Sequence, residues 1–330
     1  MKYGIIGCGG IGKRFAAALR KSPVAELYAC AARDKAKAEK FASENGALKA
    51  YGSYEELIND PEVEAVYIAT VHNTHAETAE LCINAGKPVV CEKPFFINGE
   101  EADRVIALAK EKNVLIMEGF WSKIQPAYLK VKEWIRDGRI GDITMIHAAF
   151  CFNIPYNEQT KNMRHFLPET AGGALLDAGV YPYEYVTGIM DGEPDELFYS
   201  VQRISTGVDG TTAMILKYPH AIASCLTSIT AVADNTAEIC GTNGTIKQYY
   251  FVGSKKAELY SLRGELLDSF VDPEEEGFVH EIAHFTALVR EGKKESDLVP
   301  LEPTRAFAHA ADRILGNKSE NQPTRFSSAE

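Results

Sequence analysis

The sequence predicts an α/β protein in two parts: a doubly wound parallel sheet over residues 1–120 and, over 121–330, an α+β domain built on a large, mainly antiparallel open sheet. Three observations lead there. The 330 residues exceed what one hydrophobic core usually holds, so two domains are expected. As far as residue 120 short apolar runs alternate with helical patterns, the mark of parallel βαβ units. Beyond it, apolar runs follow one another across Gly, Asn, Asp and Pro turns without helices between them, as in antiparallel sheets.

The elements follow in order. KYGIIG reads as a buried strand, and the helix over 11–21 sets Phe15, Ala18 and Leu19 on one face. AELYACA is a second strand, and an Ala/Lys-rich helix over 35–45 is stopped by Gly46. A short helix at 53–59 precedes the strand AVYIAT, which ends at Thr70; the helix 75–85 stops at Gly86. PVVCEKP is a strand, 100–112 a helix and VLIMEGF a strand. Beyond Trp121, a helix over 126–137 and one opening near Gly172–Gly173 precede the strands LFYSVQRIS, TTAMILKY, AIASCLTSIT and TIKQYYFV. Helices return at 277–291 and 303–315, and the tail GNKSENQPTRFSSAE is expected to fray. Phe150, Phe152, Tyr249, Tyr250 and Phe251 read as sheet or interface packing.

Composition narrows the function. With 45% hydrophobic and 25% charged residues the chain is that of a soluble globular protein. A net charge of -11 and the lack of any long Lys/Arg run argue against a nucleic-acid surface, so an anionic ligand must be held locally. The seven cysteines are scattered without a C-x-x-C pair or zinc spacing, which suits reduced core thiols and a cytoplasmic location. The apolar N-terminal run is short, glycine-rich and closed by Lys13-Arg14, unlike a signal peptide, and no segment approaches a membrane span.

Gly7-Cys8-Gly9-Gly10-Ile11-Gly12 matches G-x-G-x-x-G directly after a strand and at the start of a helix. The first glycine permits the tight turn, the second lets a pyrophosphate approach the backbone, and the third lets helix pack on strand. The helix N-terminus adds N–H donors and partial positive charge. A dinucleotide on a Rossmann domain is the expected ligand. After the second strand stands Ala31-Ala32-Arg33-Asp34. Arg33 suits the 2′-phosphate of NADP, which is favoured; Asp34 leaves an NAD geometry open. Thr70, His72, Asn73 and His75 follow the next strand and are expected to border the cofactor.

Glu92-Lys93-Pro94 ends a strand at the carboxyl edge of the sheet, where ligands of open α/β sheets bind. Pro94 keeps Lys93 extended and allows a cis bond. In GGALLDAGVYPY, Asp177 and Tyr181 stand at i and i+4 of a helix that Pro182 should kink or restart. An ammonium near Tyr181 would favour its phenolate, lower its pKa and make it a general acid/base. A hydrogen-bonded core tyrosine and a paired helix carboxylate are the plain alternatives.

Taken together, GCGGIG, IATVHNTHAETAELCINAGKPVVCEKPF and GGALLDAGVYPY resemble, in order and over nearly the whole chain, the glucose-fructose oxidoreductase / inositol dehydrogenase (Gfo/Idh/MocA) family. The resemblance implies a Rossmann domain, a second domain whose open sheet mediates homodimers or homotetramers, Lys93 as the E-K-P lysine, Tyr181 as acid/base and Asp177 as its neighbour. Tyrosine at 181, GFWSKIQPAY and AARD are similar to the dimeric dihydrodiol dehydrogenase and NADP-dependent aldose (xylose) dehydrogenase subgroup. Lys123 stands where an arginine is common, and ETAGGALLDAG replaces a three-glycine start.

Other residues are secondary. His72 and His75 have no third ligand nearby, so no metal is expected. Arg164 is a candidate for binding substrate oxygen or a surface arginine; Trp121 either stacks near the nicotinamide or fills the domain junction. The reading is an NAD(P)-dependent oxidoreductase moving hydride between nicotinamide and a hydroxyl or carbonyl carbon of a sugar-like polyol, aldose or cyclic diol. Tyr181 is the acid/base, Lys93 steadies its phenolate and touches substrate or ribose, Asp177 orients the polar face, and Glu92 holds Lys93. The rivals are an NAD-dependent glycoside hydrolase of the same family and a non-catalytic sensor.

Overall fold

The computed structural model describes residues 1–316, and the expectation for the polar tail falls outside them. Strands β1 (Lys2–Ile6), β2 (Glu26–Ala31), β3 (Lys49–Tyr51), β4 (Ala65–Ile68), β5 (Val89–Glu92) and β6 (Ile116–Gly119) form one parallel sheet in the order β3-β2-β1-β4-β5-β6. Helices α1 (Gly10–Lys21), α2 (Lys35–Asn45), α3 (Tyr54–Ile58), α4 (His75–Asn84) and α5 (Gly99–Lys112) lie between them. The strands are near-continuous apolar runs because both faces are covered: Tyr3, Ile5, Ile6, Val66, Tyr67 and Ile68 are wholly buried. Asp34, Ser53 and Asn98 cap α2, α3 and α5, each side chain accepting from a first-turn N–H. Strand order reverses between β1 and β4, and the crevice above that point is where such sheets bind ligands. Within this sheet only β3 is not read from the sequence, a three-residue edge strand whose side chains are exposed or half-buried.

The second sheet has eight strands in the order β14-β13-β12-β11-β7-β10-β9-β8. These are β7 (Ile143–Cys151), β8 (Glu196–Arg203), β9 (Asp209–Lys217), β10 (Ile222–Ser228), β11 (Ala237–Gly241), β12 (Gly244–Tyr249), β13 (Lys256–Ser261) and β14 (Leu266–Val271). All pairings are antiparallel except β10 with β7. Helices α6 (Pro126–Arg136) and α7 (Val180–Met190) pack against the sheet. Helices α8 (Phe278–Arg290) and α9 (Leu301–Gly316) return to the first sheet layer, α8 against α1 and α9 against α5.

Two expectations are corrected. TIKQYYFV does not continue as a strand: β12 ends at Tyr249, and Tyr250 turns with φ +47° into a short 3-10 turn. The segment around Asp177 is not regular α-helix either. Leu175–Gly179 form a π-helix in which the Val180 N–H donates to the Leu175 carbonyl, and α7 begins at Val180. Pro182 has no N–H to give, so the ladder is re-registered one turn before it.

Candidate active site

The phosphate loop has the geometry a dinucleotide needs. Gly7 adopts φ +107°, and a Cβ there would meet the Ala69 carbonyl oxygen at 2.4 Å. A Cβ at Gly12 would meet the Gly7 carbonyl at 2.5 Å, so α1 packs directly on the loop. Gly9 and Gly10 face open space, with nothing within 4 Å of a Cβ position, which leaves a bare backbone cradle at the N-terminus of α1. Ile11, at the opening of α1, lines the adjoining cleft. Beyond β2, Asp34 is committed to α2: its Oδ1 accepts from the Ala36 N–H at 2.9 Å. Arg33 beside it is exposed and makes no ion pair among the described residues.

Between the two sheets lies a cleft of about 300 Å³ lined by Thr70, His72, Glu92, Lys93, Trp121, Phe150, Arg164, Asp177 and Tyr181, among others. A hollow of about 550 Å³ between α9 and β8 is larger but contains none of the predicted groups, so the chemistry selects the smaller one. Lys93 follows β5 across a cis peptide to Pro94. Its Nζ donates to the Asp177 carbonyl at 2.6 Å, stands 3.3 Å from Asp177 Oδ1, and lies 5.0 Å from the centre of the Tyr181 ring. The Asp177 carbonyl is the one a π-register bond from position 182 would have used. Arg164 Nη2 donates to Asp177 Oδ1 at 2.9 Å. The glycine pair is explained by its neighbours: a Cβ at Gly173, φ +116°, would strike Asp209 Oδ1 at 2.1 Å. Asp209 caps this helix by accepting from the Leu175 N–H at 2.7 Å.

Asp177 is thus the hub. Burial alone would favour its acid form, but the Lys93 ammonium and the Arg164 guanidinium hold the carboxyl well below the usual carboxylate range. His72 and His165 are pushed down by burial and by the neighbouring cations, so both are neutral. Arg164 can only donate, so His72 Nε2, 3.3 Å from Nη1, accepts and Nδ1 carries the proton toward the Ala171 carbonyl, also at 3.3 Å.

The expected lowering of the Tyr181 pKa is reversed. Burial, with Glu92 and Asp177 adding, pushes it well above 10, because the nearby ammonium is committed to Asp177. Tyr181 is a neutral phenol, and a polar contact with the Trp121 side chain offsets the burial only in part. Its ring is wedged between Phe120 at 5.3 Å and Phe150 at 5.2 Å. Glu92 does not hold the Lys93 ammonium as expected. It takes a short hydrogen bond from Tyr67 and accepts from the Lys93 main-chain N–H at 3.3 Å, while burial raises its pKa.

The histidine segment is mostly frame. His75 is wholly buried between the carbonyls of Pro94, 2.8 Å, and Thr70, 3.2 Å, and burial lowers its pKa to about 4. Asn73 does not face the cleft; its amide donates to the Glu169 carbonyl at 2.9 Å and ties the two domains. Trp121 fills the junction, stacked on Phe278 at 4.9 Å under the Arg14 guanidinium at 4.6 Å, with an edge on the cleft. Sequence reasoning missed Arg14, His165, Tyr250 and Phe278; His165, next to Arg164 in NMRHFLPE, was the one with a local signal.

The family description "Oxidoreductase family, NAD-binding Rossmann fold" matches residues 1–120, and "GFO/IDH/MocA C-terminal domain" matches 128–247. Trans-1,2-dihydrobenzene-1,2-diol dehydrogenase of Mus musculus is 35% identical over 318 residues, 93% of this chain and 94% of the relative. The enzyme of that name from Macaca fascicularis is 32% identical over 326 residues, 95% and 96% of the two chains. A 3-ketoreductase from Actinomadura kijaniata, solved with NADP and TDP-benzene, superposes with a TM-score of 0.81 at 26% identity over 95% of this chain and 96% of that one. No helix among the described residues is long and apolar enough to cross a membrane. The chain belongs to the Gfo/Idh/MocA oxidoreductase family, and it is an NAD(P)-dependent dehydrogenase.

Proposed function

We propose that the enzyme uses NADP(H) in preference to NAD(H) to interconvert a vicinal hydroxyl and carbonyl on a cyclic diol or sugar-like ring, with Tyr181 as acid/base. One observation carries the reading: Lys93 from the first domain meets Asp177 and Tyr181 of the second in a single cleft beside the glycine loop. When bound, the nicotinamide takes or gives the hydride. Gly7 to Gly12 would hold the pyrophosphate and Arg33 the 2′-phosphate.

Tyr181 moves the proton. As a neutral phenol it is ready to protonate the oxygen of a carbonyl being reduced; in the oxidative direction it must first lose its proton. A substrate hydroxyl entering between Lys93 and Tyr181 gives the ammonium a second oxygen near the phenol, which would favour the phenolate. Asp177 cannot take the proton, because the surrounding cations keep it ionised; it holds Lys93 and Arg164 in place. The aromatic wall of Phe150, Phe152 and Tyr250 suits a flat ring, and the dihydrodiol dehydrogenase relatives favour a cyclic diol.

The second sheet is proposed as the self-association face. Met145 pairs with Ile222 and, two residues along the same face, Ile215 pairs with Phe198; all four are exposed. The test of function is a panel of trans-dihydrodiols, aldoses and inositols with each cofactor, read by nicotinamide absorbance. NADPH formed from a diol or aldose is expected; release of an aglycone without net cofactor reduction would overturn the reading.

A further inference from the structure

Beneath the cleft a second set of charges is sealed inside the protein. Lys123 Nζ and Glu184 Oε2 are joined at 2.7 Å, with side chains 2% and 0% exposed. A Cβ at Gly188, one turn along α7, would meet Lys123 Cε at 3.1 Å, so that glycine leaves room for the buried lysine. Glu118, on β6, is also buried. Its Oε1 accepts from the Phe95 N–H at 2.9 Å and its Oε2 from Thr304 of α9 at 2.7 Å. Glu184 Oε1 is buried with no hydrogen-bond partner in the protein among the described residues. Burial and the adjacent Glu184 push the Glu118 carboxyl well above the usual range. As the neutral acid, Glu118 has a proton to give that orphan oxygen, and the cluster of Lys123, Glu184 and Glu118 is then electrically balanced.

Each end of the cluster is tied to a segment that carries one half of the catalytic pair. Phe95 is two residues from Lys93, across Pro94, and Glu184 is three residues from Tyr181 on α7. The Lys123 ammonium lies 5.1 Å from the centre of the Phe120 ring, the same ring that stands 5.3 Å from Tyr181. We infer that Glu118, joined to the Lys123–Glu184 pair, is a positioning residue that fixes Lys93 on the first domain relative to Tyr181 on the second. The inference rests on Tyr181 being the acid/base group proposed above.

The test measures turnover and NADPH affinity for Glu118→Gln and Glu118→Asp, each in the wild-type and the Tyr181→Phe background. Glutamine keeps an acceptor for Phe95, and its amide NH2 has two hydrogens to donate, one to the Thr304 hydroxyl oxygen and one to Glu184, so turnover within about threefold of wild type is expected. Aspartate is one methylene short and cannot span both contacts. It should lower turnover by about 10- to 100-fold with NADPH affinity unchanged, and lose that effect once Tyr181 is phenylalanine. Equal losses for glutamine and aspartate, no loss for aspartate, or the same fold-loss in both backgrounds would each overturn the inference. If Glu118→Asp does not fold, Thr304→Val frees the same carboxyl from α9 and is judged by the same two-background comparison. A Tyr181→Phe enzyme at full rate would sink the acid/base reading itself; a slow one with additive losses sinks only the role of Glu118.

Discussion

Lys93 Nζ donates to the main-chain carbonyl of Asp177 at 2.6 Å and stands 3.3 Å from its carboxylate, so one residue of the second domain holds the lysine of the first at two points. Asp177→Asn keeps the carbonyl contact but removes the anion that balances Lys93 and Arg164. The expected result is a loss of about 3 kcal/mol of stability, the usual cost of breaking a buried pair, read by denaturant unfolding. Loss of the negative charge also lowers the Tyr181 pKa, since Asp177 is one of the groups that raise it. Whatever diol oxidation remains should therefore rise at a lower pH than in the wild type.

Tyr181→Phe removes the group that moves the substrate proton in this reading. It is expected to reduce kcat by about 10²- to 10⁴-fold while leaving cofactor affinity within about twofold, measured by fluorescence titration. Phe120 and Phe150 hold the ring through its faces and edges, so the phenylalanine ring should keep its seat. Unchanged turnover would remove Tyr181 from the mechanism.

The pH profiles of the two directions should differ. Tyr181 is protonated across the neutral range because burial, Glu92 and Asp177 raise its pKa. Carbonyl reduction needs the phenol and should stay flat upward from neutrality. Diol oxidation needs the phenolate and should climb about tenfold per pH unit until the phenol titrates in the ternary complex. Parallel profiles for the two directions would contradict this assignment.

Much of this was legible in the sequence because it is local. The glycine loop, the strand-helix alternation to Gly119 and the E-K-P strand end depend on near neighbours, and each lies where its pattern puts it. What stayed hidden depends on partners far along the chain. Asp34 reads as a possible ribose ligand until the cap on α2 claims its carboxylate. The π-register around Asp177 depends on Asp209, 32 residues on, capping the helix, and on Lys93 taking a carbonyl. The Tyr181 pKa went the wrong way because spacing reveals a nearby ammonium but neither its prior commitment to Asp177 nor the burial of the phenol.

Cofactor choice follows from the division of labour at the end of β2. Asp34 is occupied as a helix cap and Arg33 is exposed, so Arg33→Ala should weaken NADPH binding by about 10- to 100-fold and change NADH binding little. Dissociation constants for both reduced cofactors check it. Equal losses would mean that Arg33 does not touch the 2′-phosphate.

The frame around the site should set the acid limit of stability. His75 is wholly buried, with its ring between the carbonyls of Pro94 and Thr70, and its pKa falls from 6.5 to about 4 on folding. A depressed folded pKa contributes stability that is fully present above 6.5 and is lost as pH falls toward 4, because the unfolded chain takes up the proton first. The whole loss from this group is about 3 kcal/mol. In His75→Asn, whose amide can still donate to the Pro94 carbonyl, the ring no longer titrates. That variant should start less stable at pH 7 but lose about 3 kcal/mol less between pH 6.5 and pH 4, measured by urea unfolding across the range. If wild type and variant fall in parallel, His75 is not the residue that links acidity to the cofactor side of the cleft.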